Sequence, residues 1–453
     1  KFNSSGFLTE IVSSDGHEVT SFTYNGSDQL TKMETADDAV TTFNYASGKV
    51  STIGTDNRTV TLTHSSGDLT NITNPEGGVR TFTYDSSSKL TKDEHGLLIG
   101  TFAYTNDALT GWTEGQDEDA IHTTLTPQSL RGLNVLHPGA VYAELINGEE
   151  RSTRTQLDSY GRALEERLND GTVIRTGRDS QGRVTSITDG LGRTTSFVLD
   201  SKGYITTITN PDSTVVTMTY QAGDHHALLS STDEEGNTTT YTYYTDGNLK
   251  SETDAENQTT TWTYTNGLKE SVTDAEGNRT TLAYDSQRRL ISVKNALGDL
   301  STYTYNNFTN TSSYTDAEGR VTTVFFDKEG KPTMIQDANL NVTTLTYDVS
   351  GLVTGSIDSL GRTTNRSHTS AGLKSSVKEA VGTSVERSTL TSRNGAGEKS
   401  SSRDPNGNWT DQERDGVGRV YQITDALGFT QTLYYDKAGQ LTRLHDQLGR
   451  EWK

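Results

Sequence analysis

The chain has 453 residues, a formal net charge of −20, 30% hydrophobic residues, 43 glycines, 6 prolines and no cysteine. The charge disfavours nucleic acid as a partner, because phosphate binding needs clustered Lys and Arg. Disulfides and cysteine-ligated metal are excluded, and no run of about 18 apolar residues exists to form a membrane-spanning helix.

So low an apolar content fits disorder or a thin repeated structure, and the sequence decides for the second. Residues 1–104 hold six degenerate units, anchored on Phe2, Tyr24, Tyr45, His64, Tyr84 and Tyr104. Residues 105–156 lose the pattern. They contain Trp112, His122, Pro127, His137 and Pro138, with an acidic patch from Glu114 to Asp119. An irregular insertion or eroded repeats is expected there. Residues 157–453 hold the cleaner array, anchored on Leu157, Arg178, Leu199 and Tyr220, then Tyr243, Tyr264, Tyr284, Tyr305, Phe326 and Tyr347, then His368, Arg393, Arg414 and Tyr435. Neighbouring anchors are 21 apart in most steps (305 − 284, 347 − 326) and 19 to 25 in the rest. That period belongs to solenoids and spiral arrays, whose units bury surface only against their neighbours. One continuous array is therefore expected over the whole chain. It begins and ends inside a unit, as an excerpt of a longer protein would.

Each unit reads as two turns and two strands. One turn is D-x-x-G, closing on Gly277, Gly319, Gly361, Gly428 and Gly449; the other follows the anchor, as in Tyr435 to Gly439. Asp opening a turn and Gly closing it is ordinary turn chemistry. Between them, runs such as Thr239-Thr240-Tyr241-Thr242-Tyr243 alternate in the manner of half-buried strands. The return strand breaks that alternation: Val184 and Ile187 are three apart, so a bulge or a change of face is required. The fold class expected is all-β, a ribbon of two-stranded antiparallel units. Right-handed strand twist makes such a ribbon coil.

The motifs Gly182–Asp189 (G-R-V-T-S-I-T-D), Tyr435–Thr442 (Y-D-K-A-G-Q-L-T) and Asp425–Gly428 (D-A-L-G) resemble YD repeats. These are the repeats of bacterial Rhs and wall-associated proteins, teneurins and Tc-toxin C components. The resemblance covers nearly the whole chain except about 105–156. It implies a hollow spiral β-shell that encloses or displays another polypeptide, in a secreted or cell-surface protein. It does not carry over self-cleavage. The family's closing Asp-Pro core has no counterpart here, since Asp404-Pro405-Asn406-Gly407 reads as an ordinary turn inside the array.

Acidic turns such as Asp233–Gly236, Asp274–Gly277 and Asp316–Gly319 are oxygen-rich, but none fits a calcium loop. His225 and His226 are adjacent, so in a strand they point to opposite faces and chelate poorly. No nucleophile elbow, zinc-protease motif or P-loop is present. No catalytic residue, metal or cofactor is expected. Asn237, Asn257, Asn278 and Asn341 stand in N-x-S/T sequons, with further ones at Asn3, Asn25, Asn57, Asn71, Asn307, Asn310, Asn365 and Asn408. They are candidate glycosylation sites, although a repeat that puts Asn before a Thr-rich strand generates sequons unaided. The partners expected are an enclosed or neighbouring polypeptide of the same parent protein, a second chain at open strand edges, or surface glycans. Two rival functions follow. One is an extracellular fibre joined at the strand edges of Lys1 and Lys453. The other is a carbohydrate module, with aromatics and paired acids lining a groove drawn from 105–156.

Overall fold

The computed structural model describes residues 1–13, 15–55, 58–127, 142–223, 226–306 and 311–452. Among these the chain is all-β: forty-two strands belong to one sheet, and successive strands pair antiparallel. The only helical turn among them is a short 3₁₀ segment, Asp117–Asp119. No helix of the described residues is long and apolar enough to cross a membrane. The chain divides into two compact units. Unit 1 is Lys1–Gly78 with Ile205–Ile208 and Thr214–Thr344; unit 2 is Val79–Tyr204 with Thr209–Ser213 and Leu345–Lys453.

The repeat Thr238–Thr265 shows how the sequence makes the ribbon. Strand Thr238–Tyr243 runs into a turn, returns as Leu249–Thr253, turns again and continues as Thr259–Thr265. Thr242 lies opposite Ser251, yet Tyr243 lies opposite Leu249, so Lys250 is an extra residue. This bulge stands immediately before the anchor in most units, for example before Tyr24, Tyr45, Tyr84, Tyr220, Tyr284, Phe326 and Tyr435. It answers the broken alternation of the return strand. Ile187 lies opposite Thr176 and Val184 opposite Arg178, with Thr185 unpaired between them. Thr176 and Arg178 share a face, so Val184 and Ile187 share it too. A bulge also sharpens local twist, which bends the ribbon at the same point in each unit.

The alternation gives the sheet two unlike faces. One carries the anchors and aliphatic residues, as in Leu282 opposite Val293 and Tyr284 opposite Leu290. The other carries cross-strand hydroxyl pairs: Thr219 with Ser230 (2.6 Å), Thr242 with Ser251 (2.6 Å) and Thr263 with Ser271 (2.7 Å). Such pairs hold neighbouring strands without apolar packing. Neither face is covered in the manner of a globular core. Among the described residues, the buried side chains are Ala120, Thr172, Ser271 and Thr369. Ser271, at 1% exposure, lies on the hydroxyl face.

Candidate functional site: the turn edges and the anchor slot

Each D-x-x-G turn is closed by its own aspartate. At Asp274 the Gly277 N–H donates to the Asp274 carbonyl (3.1 Å), and the Asp274 N–H donates to the Asn278 carbonyl (3.1 Å). The carboxylate then takes the Asn278 N–H on Oδ1 (2.8 Å) and the Asn278 amide Nδ2 on Oδ2 (2.9 Å). Gly277 has φ +85°, a conformation that a side chain disfavours. Gly319, Gly361, Gly428 and Gly449 occupy the same slot at φ +79°, +75°, +82° and +76°. Hydrogen bonds to the ionised form hold Asp274, Asp316, Asp358 and Asp446 below the usual carboxylate range. For Asp274 the Asn278 side chain is the largest cause. Asp158, bonded first by the Arg162 backbone amide, falls to about 2.

The residue after the glycine slot gives three of the sequon asparagines a structural role. Asn237, Asn278 and Asn341 donate their Nδ2 groups to the turn carboxylates of Asp233, Asp274 and Asp337, all at 2.9 Å. In sister turns Arg320, Arg362 and Arg450 occupy that place, and their Nε groups reach the turn carboxylate at 2.6 Å. Asn and Arg alternate because both can bond the aspartate. Asn257 differs: at φ +62° it stands in the glycine slot of the Asp254 turn. Asn57, Asn307 and Asn310 lie outside the described residues, as do His225 and Lys453. His226 stacks on Tyr220, with ring centroids 5.2 Å apart.

The anchor slot works through its polar tip. Tyr243, Tyr305 and Tyr435 donate their hydroxyls to the carbonyls of Leu228 (2.8 Å), Leu290 (2.8 Å) and Val420 (2.9 Å), each 15 residues earlier. Tyr24, Tyr45 and Tyr220 do the same at 15 or 16 residues. Each bond ties one unit to the return strand of the unit before it. Tyr264 meets the edge of Tyr244, whose hydroxyl bonds the Trp262 carbonyl at 3.0 Å. Tyr284, Phe326 and Tyr347 end their strands half-buried in the same slot. Burial pushes the phenols of Tyr243, Tyr264 and Tyr284 up.

The sequence pattern makes Arg178, Arg393 and Arg414 degenerate anchors; the structure gives them the same task. Arg178 reaches the Ala163 carbonyl, 15 residues back, through Nε and Nη2 (3.3 Å each) and the Gly182 carbonyl through Nη1 (3.0 Å). Arg414 reaches the carbonyls of Lys399 (3.3 Å) and Gly418 (2.8 Å). The equivalence was legible in the register, since these arginines fall one period from tyrosines.

The ribbon has two turn edges, and within each unit one edge meets the other. In unit 1 the Lys328 N–H, in the turn after anchor Phe326, donates to Glu76 Oε1 at 2.7 Å. In unit 2 the Gly395 N–H, in the turn after anchor Arg393, donates to Glu149 Oε1 at 2.7 Å. Arg151 pairs with Glu398 at 2.5 Å and Arg419 with Asp170 at 3.5 Å. The separations are 328 − 76 = 252, 395 − 149 = 246, 398 − 151 = 247 and 419 − 170 = 249 residues. With a period near 21, each unit returns to itself after about twelve repeats. The approach is tight: a Cβ at Gly148 would collide with the Gly395 backbone.

The described part of 105–156 carries strands Ala108–Glu114, Ile121–Thr126, Tyr142–Asn147 and Ser152–Leu157, all in the antiparallel ladder. Residues 128–141, with His137 and Pro138, lie outside the described residues. The acidic patch sits at the edge seam, where the Gln116 N–H donates to Ser370 Oγ at 2.7 Å. A cavity of about 330 Å³ lies beside it, lined by Asp93, His95, Phe102, Glu114 and Ser370 among others. Its Asp93 is held by a two-pronged ion pair with Arg80. Among the described residues no cluster of His, Asp and Glu could hold a metal ion.

The profile of the RHS Repeat family matches residues 158–194, 178–215 and 266–300. Among solved structures, that of TcdB2-TccC3 superposes over 97% of this chain and 28% of its own, with TM-score 0.52 and 13% identity. The Tc holotoxin pore of Photorhabdus luminescens superposes over 94% of this chain and 30% of its own, with TM-score 0.53 and 11% identity. At such identities the likeness is one of fold. The chain spans about three tenths of the length of the chains it matches. No curated protein matches it in sequence.

Proposed function

Because this chain belongs to the Rhs/YD-repeat family, we propose that it is a wall: a structural segment that encloses or displays another polypeptide in a secreted or cell-surface protein. The observation that carries the reading is the edge seam. In each unit the ribbon meets itself after about 250 residues, by contacts at turns and the strand ends beside them. A ribbon that closes only edge to edge stays one layer thick. Its faces are then free to look onto something other than itself, and the scarcity of buried side chains accords with this. The likeness to a Tc holotoxin pore supports a toxin-associated setting. We extend the proposal to the whole of 1–453 as a single array, with 105–156 as part of it and Tyr243, Tyr264, Tyr284, Tyr305, Phe326, Tyr347 and Tyr435 as its structural anchors. The wall is taken to be non-catalytic: its carboxylates serve turns and seams.

The chain has no cysteine, so single cysteines can report on the two faces. Thr239→Cys lies on the anchor face and Thr240→Cys on the hydroxyl face of one strand. A wall predicts that a small maleimide labels both sites, whereas a bulky polymer-linked maleimide labels only one. Equal labelling of both by the bulky reagent would contradict the proposal.

A further inference from the structure

Five Asn-Gly pairs occur in the chain: Asn25-Gly26, Asn147-Gly148, Asn266-Gly267, Asn394-Gly395 and Asn406-Gly407. Such a pair can cyclise, because glycine has no Cβ to crowd the attack. The glycine amide nitrogen loses its proton to hydroxide and bonds to the asparagine Cγ. The Cγ–Nδ2 bond then breaks, and ammonia leaves with a proton taken from water. Water opens the resulting succinimide on either side and leaves aspartate or isoaspartate. Two conditions follow: the side chain must be free to turn, and the glycine N–H must be free to ionise.

Four of the pairs are held back. Asn25, Asn147 and Asn394 open their turns, and each Oδ1 accepts two backbone N–H groups: those of Ser27 and Gln29, of Glu149 and Arg151, and of Ala396 and Glu398. At Asn406 the Gly407 N–H donates to the Asp404 carbonyl (3.1 Å). Asn266 alone meets both conditions. The turn after anchor Tyr264 is a two-residue hairpin loop with no Asp or Asn to open it. Thr265 lies opposite Leu268, and Asn266 and Gly267 have φ +52° and +75°. Among the described residues nothing bonds the Asn266 side chain or the Gly267 N–H. A cavity of about 300 Å³, lined by Asn266, Leu268, Glu270 and Tyr284 among others, gives the side chain room and admits water.

The loop stands at the seam of unit 1. A Cβ on Gly267 would collide with the Asp15 carboxylate. Arg288 donates to the Asn266 carbonyl (3.1 Å) and to Glu18 Oε1 (3.0 Å). A carboxylate at position 266 would repel Asp15 and compete with Glu18 for Arg288, and isoaspartate would also lengthen the backbone of the loop. We infer that Asn266 is a site of spontaneous deamidation, and that its conversion loosens the seam of unit 1.

Peptide mapping by mass spectrometry, on the full chain warmed at neutral and at mildly alkaline pH, tests the inference. Each hydrogen bond that must open first slows cyclisation about fivefold. Asn266 should therefore convert at least about fivefold faster than Asn406, and about 25-fold faster than Asn25, Asn147 and Asn394. The rate should rise with pH, because the amide must lose a proton. Deuterium exchange reads the seam. At residues 15–18 it should rise at least about fivefold as the parent ages, and equally in fresh Asn266→Asp. It should stay constant in aged Asn266→Gly, which accepts the positive φ and has no side-chain amide to lose. Conversion of another pair before Asn266, unchanged exchange in Asn266→Asp, or a rise in aged Asn266→Gly equal to that of the parent would overturn the inference. It rests on the seam and not on the wall proposal, so the maleimide labelling and the ageing can each fail alone.

Discussion

Tyr-anchored and Arg-anchored units perform one task with different chemistry. Around Tyr243, Tyr305 and Tyr435 a phenol reaches back 15 residues to a carbonyl. Around Arg178 and Arg414 a guanidinium reaches the carbonyl at that distance and a second one four residues ahead. In these units the slot takes a long side chain with a donor at its tip, whereas Phe326, Leu157 and Leu199 fill it without one. The arginine version makes two bonds with a charged donor, and such bonds are the stronger class.

The largest effect should come from acid, which strikes what both kinds of unit share. Asp158 titrates at about 2 against an ordinary 3.8, and Asp179, Asp233, Asp274, Asp316 and Asp446 are lowered in the same direction. A depressed folded pKa contributes stability that is present above about 3.8 and is lost as pH falls through the folded value. Thermal unfolding followed by circular dichroism should thus show a steep fall in Tm between pH 4 and pH 2 that Asn at several of these positions makes shallower. The anchors keep their donors over that range, because guanidinium and phenol do not change charge there.

Next in size is the arginine anchor. Arg414→Ala should cost about 2–3 kcal/mol, read from the urea midpoint, because two carbonyls lose a charged donor. Arg414→Tyr should restore most of it if the slot needs only a donor at its tip. Tyr243→Phe should cost about 1 kcal/mol, since one neutral bond to the Leu228 carbonyl is lost while the ring stays. A loss equal to that from Arg414→Ala would show that the charged anchor is no stronger than the neutral one. Smallest is a gain: Leu340, at φ +64° and 74% exposed, fills a glycine slot. Leu340→Gly should raise stability by up to about 1 kcal/mol, because it relieves a left-handed residue without giving up packing.

Much of this was legible in the sequence because the repeat states its own geometry. The period located the strands, Gly277 and its sisters marked the turns, and the misfit of Val184 with Ile187 required a bulge or a change of face, of which the structure shows the bulge, at Thr185. The seam was not legible. Glu76 and Lys328 are 252 residues apart, and nothing local in either turn names its partner. Only the number of units per turn of the ribbon sets that pairing, and it arises from twist and bulge acting together over many strands. The sequons have a structural reason of their own: Asn278 follows a turn glycine and bonds Asp274, and the threonine after it belongs to the strand.

Each compact unit returns to itself after about twelve repeats. Glu76 and Lys328 meet at that seam in a chain without cysteine, so Glu76→Cys with Lys328→Cys can be bridged by a short thiol cross-linker. Rapid cross-linking within a single chain is expected, seen as a mobility shift in denaturing electrophoresis that persists on dilution. A pair that stays uncross-linked while each single cysteine is labelled freely would contradict it.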